Sequence, residues 1–218
     1  MYKISEKVRL IAAAPDMIDS NFKNSLILVI ENMHEGAFGF IVNKPSDIML
    51  NEIYSESHSI CTSDLNAWEG GPVDEDRGFL MTHSSLLRQL GLDQMAEEEE
   101  AISFSDNVVV LSDTDFVKEF FTQYVDNVEN YMPGHRRITG ATSGRKRKNQ
   151  PFKFLLGYAG WDIDQLDDEI AEGLWIEVPF EERLVFNTPP EKAWKEALAK
   201  VGLVNVDSYI VPDSDWLN

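Results

Sequence analysis

Hydrophobic residues along this chain fall into short continuous runs and into longer stretches with helical spacing. The run SLILVIE at 25–31 is continuous and rich in β-branched residues, which is typical of a strand buried on both faces. A five-residue turn ending in Gly36 separates it from a second apolar run at 37–43. Because this connection is short, the two runs are predicted to form a β-hairpin, which argues against a purely parallel sheet.

Other apolar segments predict further strands at 8–13, 65–69, 77–83, 102–104, 107–111, 152–159, 174–178 and 183–187. Pairing is predicted to stop at Pro45, which has no backbone N–H to donate. Amphipathic spacing predicts helices near 48–56, 113–131 and 189–201, while 84–100 is polar and predicts a loop or short helix. The chain is therefore predicted to be a single α+β domain, with a curved mixed or largely antiparallel sheet flanked by helices.

The segment LLGYAGWDIDQLDDE at 155–169 is predicted to lead from a strand into an acidic helix. Asp164 is placed to cap that helix, with Asp167 three residues later. Tyr158, Trp161 and Gln165 then form an amphipathic rim near Gly160, where backbone amides are accessible. Two interpretations stay open, because Trp161 can fill the core or the junction can present a binding site on a rigid scaffold.

Two further strand ends are candidates for the same ligand site. Asn43 and Lys44 precede Pro45 and can either hold a carboxylate or phosphate or simply cap the strand. Gly70 and Gly71 form a tight turn that brings two backbones close, but the turn lacks the GxxxxGK[ST] pattern of a phosphate-binding loop. We expect these strand ends and the segment at 158–165 to meet in space.

Four motifs together resemble the AlgH/YqgE family of bacterial proteins. They are AAPDMIDSNFKNS at 13–25, EGAFGFIVNKP at 35–45, GGPVDEDRGF at 70–79 and GYAGW at 157–161, in the family's order within 8–202. Arg77 matches a basic residue of the third motif. The resemblance implies an α+β fold without implying a particular reaction, and some members are described as transcriptional regulators.

Composition narrows the classes of partner. The net charge is −19, with 38 acidic and 19 basic residues, and such a surface repels phosphate backbones. The single cysteine, Cys61, excludes an internal disulfide, and no run of 18 apolar residues predicts a transmembrane helix. We therefore expect a cytoplasmic protein with no membrane partner.

One segment departs from this acidic composition. Between 135 and 150 the chain has six of its 19 basic residues and no acidic residue, which predicts a loop insertion. The basic residues are Arg136, Arg137, Arg145, Lys146, Arg147 and Lys148. This loop can be a solvated insertion, can contact nucleic acid or an acidic partner, or can fold back on the acidic surface.

The motifs of the common enzyme classes are missing from the sequence. The four histidines are scattered, and no HExxH, CxxC, GxSxG, Walker or dinucleotide pattern occurs, so no metal or cofactor is expected. The leading interpretation is a binding or regulatory module with a protein or small-molecule partner, in which nucleic acid is contacted only through the basic loop. The alternative is a small-molecule enzyme whose pocket gathers Asn43, Lys44, Arg77, Tyr158 and Gln165.

We predict that any nucleic-acid affinity resides in the segment 135–150. No aromatic residue interleaves its basic side chains, so contacts would be made to phosphates, with a log–log salt slope of at most about −5 on B-DNA. Changing Arg145, Lys146, Arg147 and Lys148 to Ala should abolish binding at low salt and leave thermal stability nearly unchanged. Titration of both forms with duplex and single-stranded oligonucleotides at two salt concentrations measures this, and equal binding by the two forms would contradict it.

Overall fold

A computed structural model of the chain describes residues 3–4, 7–32, 35–53, 65–99, 101–131 and 151–204. The strands are β1 (Lys3–Ile4), β2 (Lys7–Ala13), β3 (Leu26–Asn32), β4 (Gly36–Ile41), β5 (Pro45–Met49), β6 (Asn66–Glu69), β7 (Val73–His83), β8 (Ile102–Ser103), β9 (Val108–Leu111), β10 (Phe152–Trp161) and β11 (Trp175–Val178). The helices are α1 (Leu50–Ile53), α2 (Ser84–Leu90), α3 (Asp93–Glu98), α4 (Thr114–Tyr131), α5 (Gln165–Ala171) and α6 (Pro190–Lys200).

The residues form two compact units, and the chain passes between them several times. Unit 1 comprises Met1–Ser5, Pro45–Glu69 and Asp74–Gly157, and unit 2 comprises Glu6–Lys44, Gly70–Val73 and Tyr158–Asn218. Strand β10 contributes residues to both units, and Gly157, where its membership changes, has a φ of 70°. This left-handed conformation favours glycine and interrupts the regular pleat of the strand at that point.

Unit 2 contains the predicted hairpin, which is confirmed. Strands β3 and β4 pair antiparallel with Leu28 opposite Phe40, and the ladder continues in the order β10–β4–β3–β2–β11. Both alternating positions of β2 are buried, since Leu10 is 1% exposed and Ile11 is fully buried. The continuous apolar runs in this sequence therefore correspond to strands covered on both faces, as the sequence pattern predicts.

Unit 1 has the strand order β1–β8–β9–β7–β10, with β5 and β6 paired to each other and β6 parallel to β10. Helix α4 contributes Phe116, Phe120 and Phe121 to the core, and Phe120 meets Phe152 edge-on at 5.4 Å between ring centroids. Burial raises the pKa of Tyr124, on the same helix, to about 12. Parallel pairs are the minority among the described ladders, so the predicted α+β class with a mixed, largely antiparallel sheet flanked by helices is confirmed.

One predicted element is wrong. The segment Arg183–Asn187 is a π-helix and not a strand, because the N–H of Thr188 bonds to the Arg183 carbonyl at 2.8 Å and the Thr188 hydroxyl bonds to the same oxygen at 2.9 Å. The strand before Pro45 ends as predicted, at Ile41, but pairing resumes at Pro45 itself, which begins β5 opposite Trp68. A proline is tolerated there because the first residue of a strand need not donate a hydrogen bond to the ladder.

The polar interval at 84–100 contains the two short helices α2 and α3, one of the two predicted possibilities. The helix predicted at 48–56 is shorter, because only Leu50–Ile53 is helical and 54–64 lies outside the described residues. The basic segment 135–150, with Arg136, Arg137, Arg145, Lys146, Arg147 and Lys148, also lies outside them. In the described parts of the chain, no helix is long and apolar enough to cross a membrane.

Two glycines of unit 2 are required by close backbone contacts. A Cβ on Gly36 would collide with the carbonyl oxygen of Trp161, and a Cβ on Gly71 would collide with the backbone carbonyl of Tyr158. Gly160 differs, because the nearest atom to a Cβ built there is Cε2 of Tyr158, at 3.7 Å. Glycine is therefore a packing requirement at the first two positions and not at the third.

Helix α5 is fixed to the unit 2 sheet by the carboxylate of Glu169. Its Oε2 accepts hydrogen bonds from the indole N–H groups of Trp161 at 2.9 Å and Trp175 at 2.7 Å, and its Oε1 accepts one from Gln165 at 2.7 Å. Both indoles lie in the core cluster that Leu166 of α5 completes. One carboxylate thus satisfies two largely buried donors and sets the position of the helix.

We predict opposite outcomes for two glycine substitutions in unit 2. Gly71→Ala should lower the free energy of unfolding by about 3 kcal/mol, because backbone must move to admit the methyl group. Gly160→Ala should change it by less than about 0.5 kcal/mol, as expected for an uncrowded surface position. Urea denaturation followed by tryptophan fluorescence measures both, and equal losses would contradict the packing difference.

We also predict that Glu169→Ala destabilises the protein by about 2–3 kcal/mol, because two largely buried indole N–H groups lose their acceptor. Glu172→Ala is the matched control at the end of the same helix. The Glu172 side chain is exposed, so its loss should fall within about 0.5 kcal/mol of zero. The same urea titration compares them, and an equally small effect of both changes would show that the carboxylate does not hold the helix.

Candidate functional site

The junction between β10 and α5 turns through 162–164 before the helix begins. The side chain of Gln165 caps this turn, because its Oε1 accepts the N–H of Asp162 at 2.8 Å. The predicted cap at Asp164 is wrong. Asp164 occupies the position before the first helical residue, but it has a φ of 65° and its side chain makes no capping hydrogen bond to the helix.

A pocket of about 260 Å³ lies at this junction within unit 2. It is lined by Glu31, Gly36, Ala37, Asp162, Ile163, Asp164, Leu166 and Asp167. Gly36 can form part of the wall only because it lacks a side chain, since its Cα lies against the backbone of Trp161 and Asp162. The volume is near the lower limit of ligand pockets, about 300 Å³, and suits one side chain or a small organic group.

The charge at the pocket is dominated by carboxylates. Four acidic side chains line it, and among the described residues Arg9 and Lys7 form ion pairs with Glu31 and Asp167, while Asp162 and Asp164 have no ion pair. The Arg9 side chain is only 5% exposed, and its Nη1 lies 2.6 Å from Oδ1 of Asp167. A buried guanidinium needs such partners, because an isolated charge in the interior is very costly.

Glu31 is engaged with the cations beside the pocket. Its Oε2 is buried and lies 3.2 Å from Nε of Arg9 and 3.6 Å from Nζ of Lys7, although the contact with Arg9 does not meet the geometry of a hydrogen bond. This oxygen is therefore offset by charge interactions inside unit 2 and is closed to a ligand. The carboxylates of Asp162 and Asp164 are exposed instead, and they make no ion pair among the described residues.

The predicted site residues at the strand ends are engaged inside unit 2. Asn43 accepts the N–H of Leu26 at 2.7 Å and donates to the Asn24 carbonyl at 2.9 Å. Lys44 donates through Nζ to the carbonyls of Ser20 and Asn21, at 3.3 and 2.6 Å. Both side chains hold the loop between β2 and β3, and their role in binding a ligand stays a prediction.

The other predicted residues are divided between the two ends of β4. Gly70 accepts the N–H of Ile41 at 2.8 Å and Gly71 packs on Tyr158, so the glycine turn adjoins the strand end that leads to Asn43. Trp161 pairs instead with Ala37 near the opposite end of the strand, about 14 Å from Ile41 by strand rise. Gly160, Trp161 and Gln165 therefore lie toward the acidic pocket and not beside Asn43 and Lys44.

Arg77 belongs to unit 1. Its Nη2 lies 3.3 Å from Oγ of Ser112, and its guanidinium stacks 5.0 Å from the ring centre of Phe79. Among the described residues, no three His, Cys, Asp or Glu side chains are arranged to hold a metal ion.

Sequence reasoning missed the residues that give the pocket its charge and its shape. Arg9 and Glu31 lie on strands whose apolar runs predict complete burial, and Gly36 was interpreted only as the end of a turn. The alternation of side chains along these two strands contains a signal for this ion pair. Arg9 and Glu31 share the parity of Ile11 and Val29, so two opposite charges interrupt one apolar face of adjacent strands.

Comparison with known proteins gives consistent matches along almost the whole chain. The chain is 28% identical to a UPF0301 protein of Anaeromyxobacter dehalogenans over 201 residues, covering 88% of this chain and 86% of the relative. It is 27% identical to a UPF0301 protein of Vibrio cholerae over 204 residues, covering 88% and 90%.

Two solved structures share the fold. The solution structure of the AlgH protein from Pseudomonas aeruginosa matches with a TM-score of 0.60 at 23% identity, covering 93% of this chain and 94% of that one. A crystal structure of a Corynebacterium diphtheriae protein matches with a TM-score of 0.63 at 18% identity, covering 96% and 94%. The family model described as AlgH-like matches residues 10–205, and the chain therefore belongs to the AlgH-like family.

Proposed function

We propose that this chain is a binding module that holds a cationic organic group in the pocket between β10 and α5. The observation that carries the proposal is the set of four carboxylates around one cavity, of which Asp162 and Asp164 are exposed and make no ion pair among the described residues. A ligand ammonium or guanidinium would offset the negative charges of these two side chains and donate hydrogen bonds to them.

The apolar part of the lining favours a group with carbon atoms beside its charge. Ala37, Ile163 and Leu166 contribute hydrocarbon surface next to the carboxylates. Lysine and arginine side chains combine a charged end with an aliphatic stem, and they bury the stem while keeping the charge hydrated. A lysine or arginine side chain of a partner, or a small molecule of the same chemistry, therefore fits the pocket.

A regulatory role would follow if the bound group belongs to another protein. The net charge of −19 disfavours direct contact with DNA, so we propose that regulation of transcription by this chain is exerted through a protein partner. Nucleic-acid contact is proposed only through the basic segment 135–150. The cytoplasm remains the proposed location, because a chain with the single cysteine Cys61 has no internal disulfide.

The enzymatic alternative has less support from the geometry. Of the five side chains in its proposed pocket, Asn43, Lys44 and Gln165 make hydrogen bonds within unit 2. These bonds fix a loop and a helix start, and breaking them to reach a substrate would leave backbone groups unsatisfied. We therefore keep binding as the proposed function.

We predict that N-acetylarginine amide binds this pocket and that the neutral isostere N-acetylcitrulline amide does not. The two compounds differ mainly in the charge of one group, so the comparison isolates the electrostatic contribution. Titration followed by ¹⁵N–¹H NMR should show saturable, millimolar binding with shifts at the amides of Gly36, Ala37 and Ile163. Added salt should weaken it, because the carboxylates are partly exposed.

The double variant Asp162→Asn, Asp164→Asn should bind N-acetylarginine amide roughly fivefold more weakly, since each exposed charge pair contributes about 0.5 kcal/mol. Asp76→Asn, an exposed carboxylate of unit 1, is the matched control and should bind as the unchanged chain does. Equal affinity for the arginine and citrulline compounds, or equal weakening by the control, would rule out the proposed ligand.

A further inference from the structure

We propose that unit 2 carries a docking surface for a basic protein partner, formed by the outer side of α5 and the two segments beside it. We call this the α5 face, and define it by Ile18, Leu174 and Ile163 together with the exposed acidic residues of 162–172. The inference deepens the proposed function and rests on it, because the acidic pocket lies at one end of this face. It adds the identity of the partner and a second contact far from the pocket.

The first observation is exposed hydrophobic surface. Ile18 is 96% exposed, Ile163 is 53% exposed and Leu174 is 41% exposed. Single exposed apolar residues are common, but an isoleucine that is almost completely exposed offers its whole apolar surface for burial by a partner. These residues are spread along one side of unit 2, which is the arrangement of apolar contacts in an interface.

The second observation is that Ile18 is held outward by its loop. The N–H of Met17 bonds to the Ala14 carbonyl, and the N–H of Asn21 bonds to Oδ1 of Asp19 at 2.8 Å. Lys44 fastens the following residues by its bonds to two loop carbonyls. Because the loop is already ordered, a partner that covers Ile18 would not have to bear the entropy cost of fixing it.

The third observation places these residues on the same side of the sheet. Met17 and Phe22 pack on the core cluster that contains Leu166 of α5, and the Phe22 ring meets Trp175 edge-on at 5.3 Å. The N–H of Ala14 bonds to the carbonyl of Leu174 at 3.0 Å. Leu174 and the loop that carries Ile18 therefore lie beside the packing of α5 on the sheet, while Ile163 borders the N-terminal end of the helix at the pocket.

The charge of the face identifies the occupant. The segment 162–174 contains six acidic residues and no lysine or arginine, and Asp16 and Asp19 flank Ile18. Five of these six carboxylates are exposed, with Asp167 paired to the buried Arg9, while Glu169 is half-buried and accepts hydrogen bonds from Trp161, Trp175 and Gln165. A nucleic acid or an anionic membrane would be repelled, and the net charge of −19 disfavours a second copy of the chain. A protein with lysine or arginine side chains around an apolar pocket is the complementary partner.

The test uses the full chain in cells of the organism that encodes it, with the photo-crosslinking residue p-benzoylphenylalanine in place of Ile18. A second chain carries the residue in place of Ile48, which is 42% exposed and lies in unit 1. We expect irradiation to crosslink the chain to one basic protein from position 18 and not from position 48. A crosslink to another copy of the chain, crosslinks at both positions alike, or none at position 18 would overturn the proposal.

The captured protein is then purified and titrated with the unlabelled chain. Ile18→Ser should weaken the complex about tenfold, and Asp168→Lys with Glu172→Lys should weaken it further, with an affinity that falls as salt is raised. A substitution of one exposed side chain that packs on nothing should leave folding intact, which thermal unfolding checks. An unchanged Kd for Ile18→Ser would show that this face is not the contact.

The two proposals fail separately. Ile18→Ser should still bind N-acetylarginine amide, while Asp162→Asn with Asp164→Asn should bind that compound about fivefold more weakly and weaken the protein complex only in part. If the arginine compound never binds but the complex depends on Ile18, the result supports the docking face and contradicts the ligand proposed for the pocket. If the compound binds and no complex depends on Ile18, the result supports the pocket ligand and contradicts the docking face.

Discussion

The carboxylate of Glu169 is the interaction on which the candidate site depends. It accepts hydrogen bonds from two indoles of the unit 2 core and from Gln165, whose other end caps the turn before α5. The same side chain therefore satisfies donors in the core and fixes the start of the helix. Because the pocket wall includes residues on both sides of that turn, the geometry of the cavity follows from a bond made about one helical turn away.

Arg9 extends this constraint into the sheet. The guanidinium is almost fully buried between Glu31 of β3 and Asp167 of α5, so it links the helix to a strand by charge and not by packing alone. A buried arginine requires more than one anionic partner to offset its lost hydration. This requirement accounts for two of the four pocket carboxylates. The remaining two, Asp162 and Asp164, have no such structural role among the described contacts, and they make the pocket acidic.

The sequence predicts the parts of the fold that depend on local pattern. The hairpin of β3 and β4, the aromatic stripe of α4 and the helix that follows Thr188 each have a periodicity or turn signal in their own residues. The prediction of a strand at 183–187 is wrong because a short apolar run is compatible with a strand and with a buried helical turn alike. The hydrogen bonds of Thr188 to the Arg183 carbonyl show that the segment is helical. The pocket was missed because its charge comes from Arg9 and Glu31, which become neighbours only through strand pairing.

Trp161 shows that the segment 155–169 can fill the core and border a binding site at the same time. It is 7% exposed and stands edge-on to Trp175 at 5.9 Å, so it fills the core as its size suggests. Its indole N–H nevertheless needs an acceptor, and Glu169 supplies it from the helix that forms the pocket wall. The hydrogen bond from the indole of a buried residue thus fixes the wall of a surface cavity to the core. A binding site built this way requires little reorganisation on ligand entry, which favours recognition of a preformed cationic group.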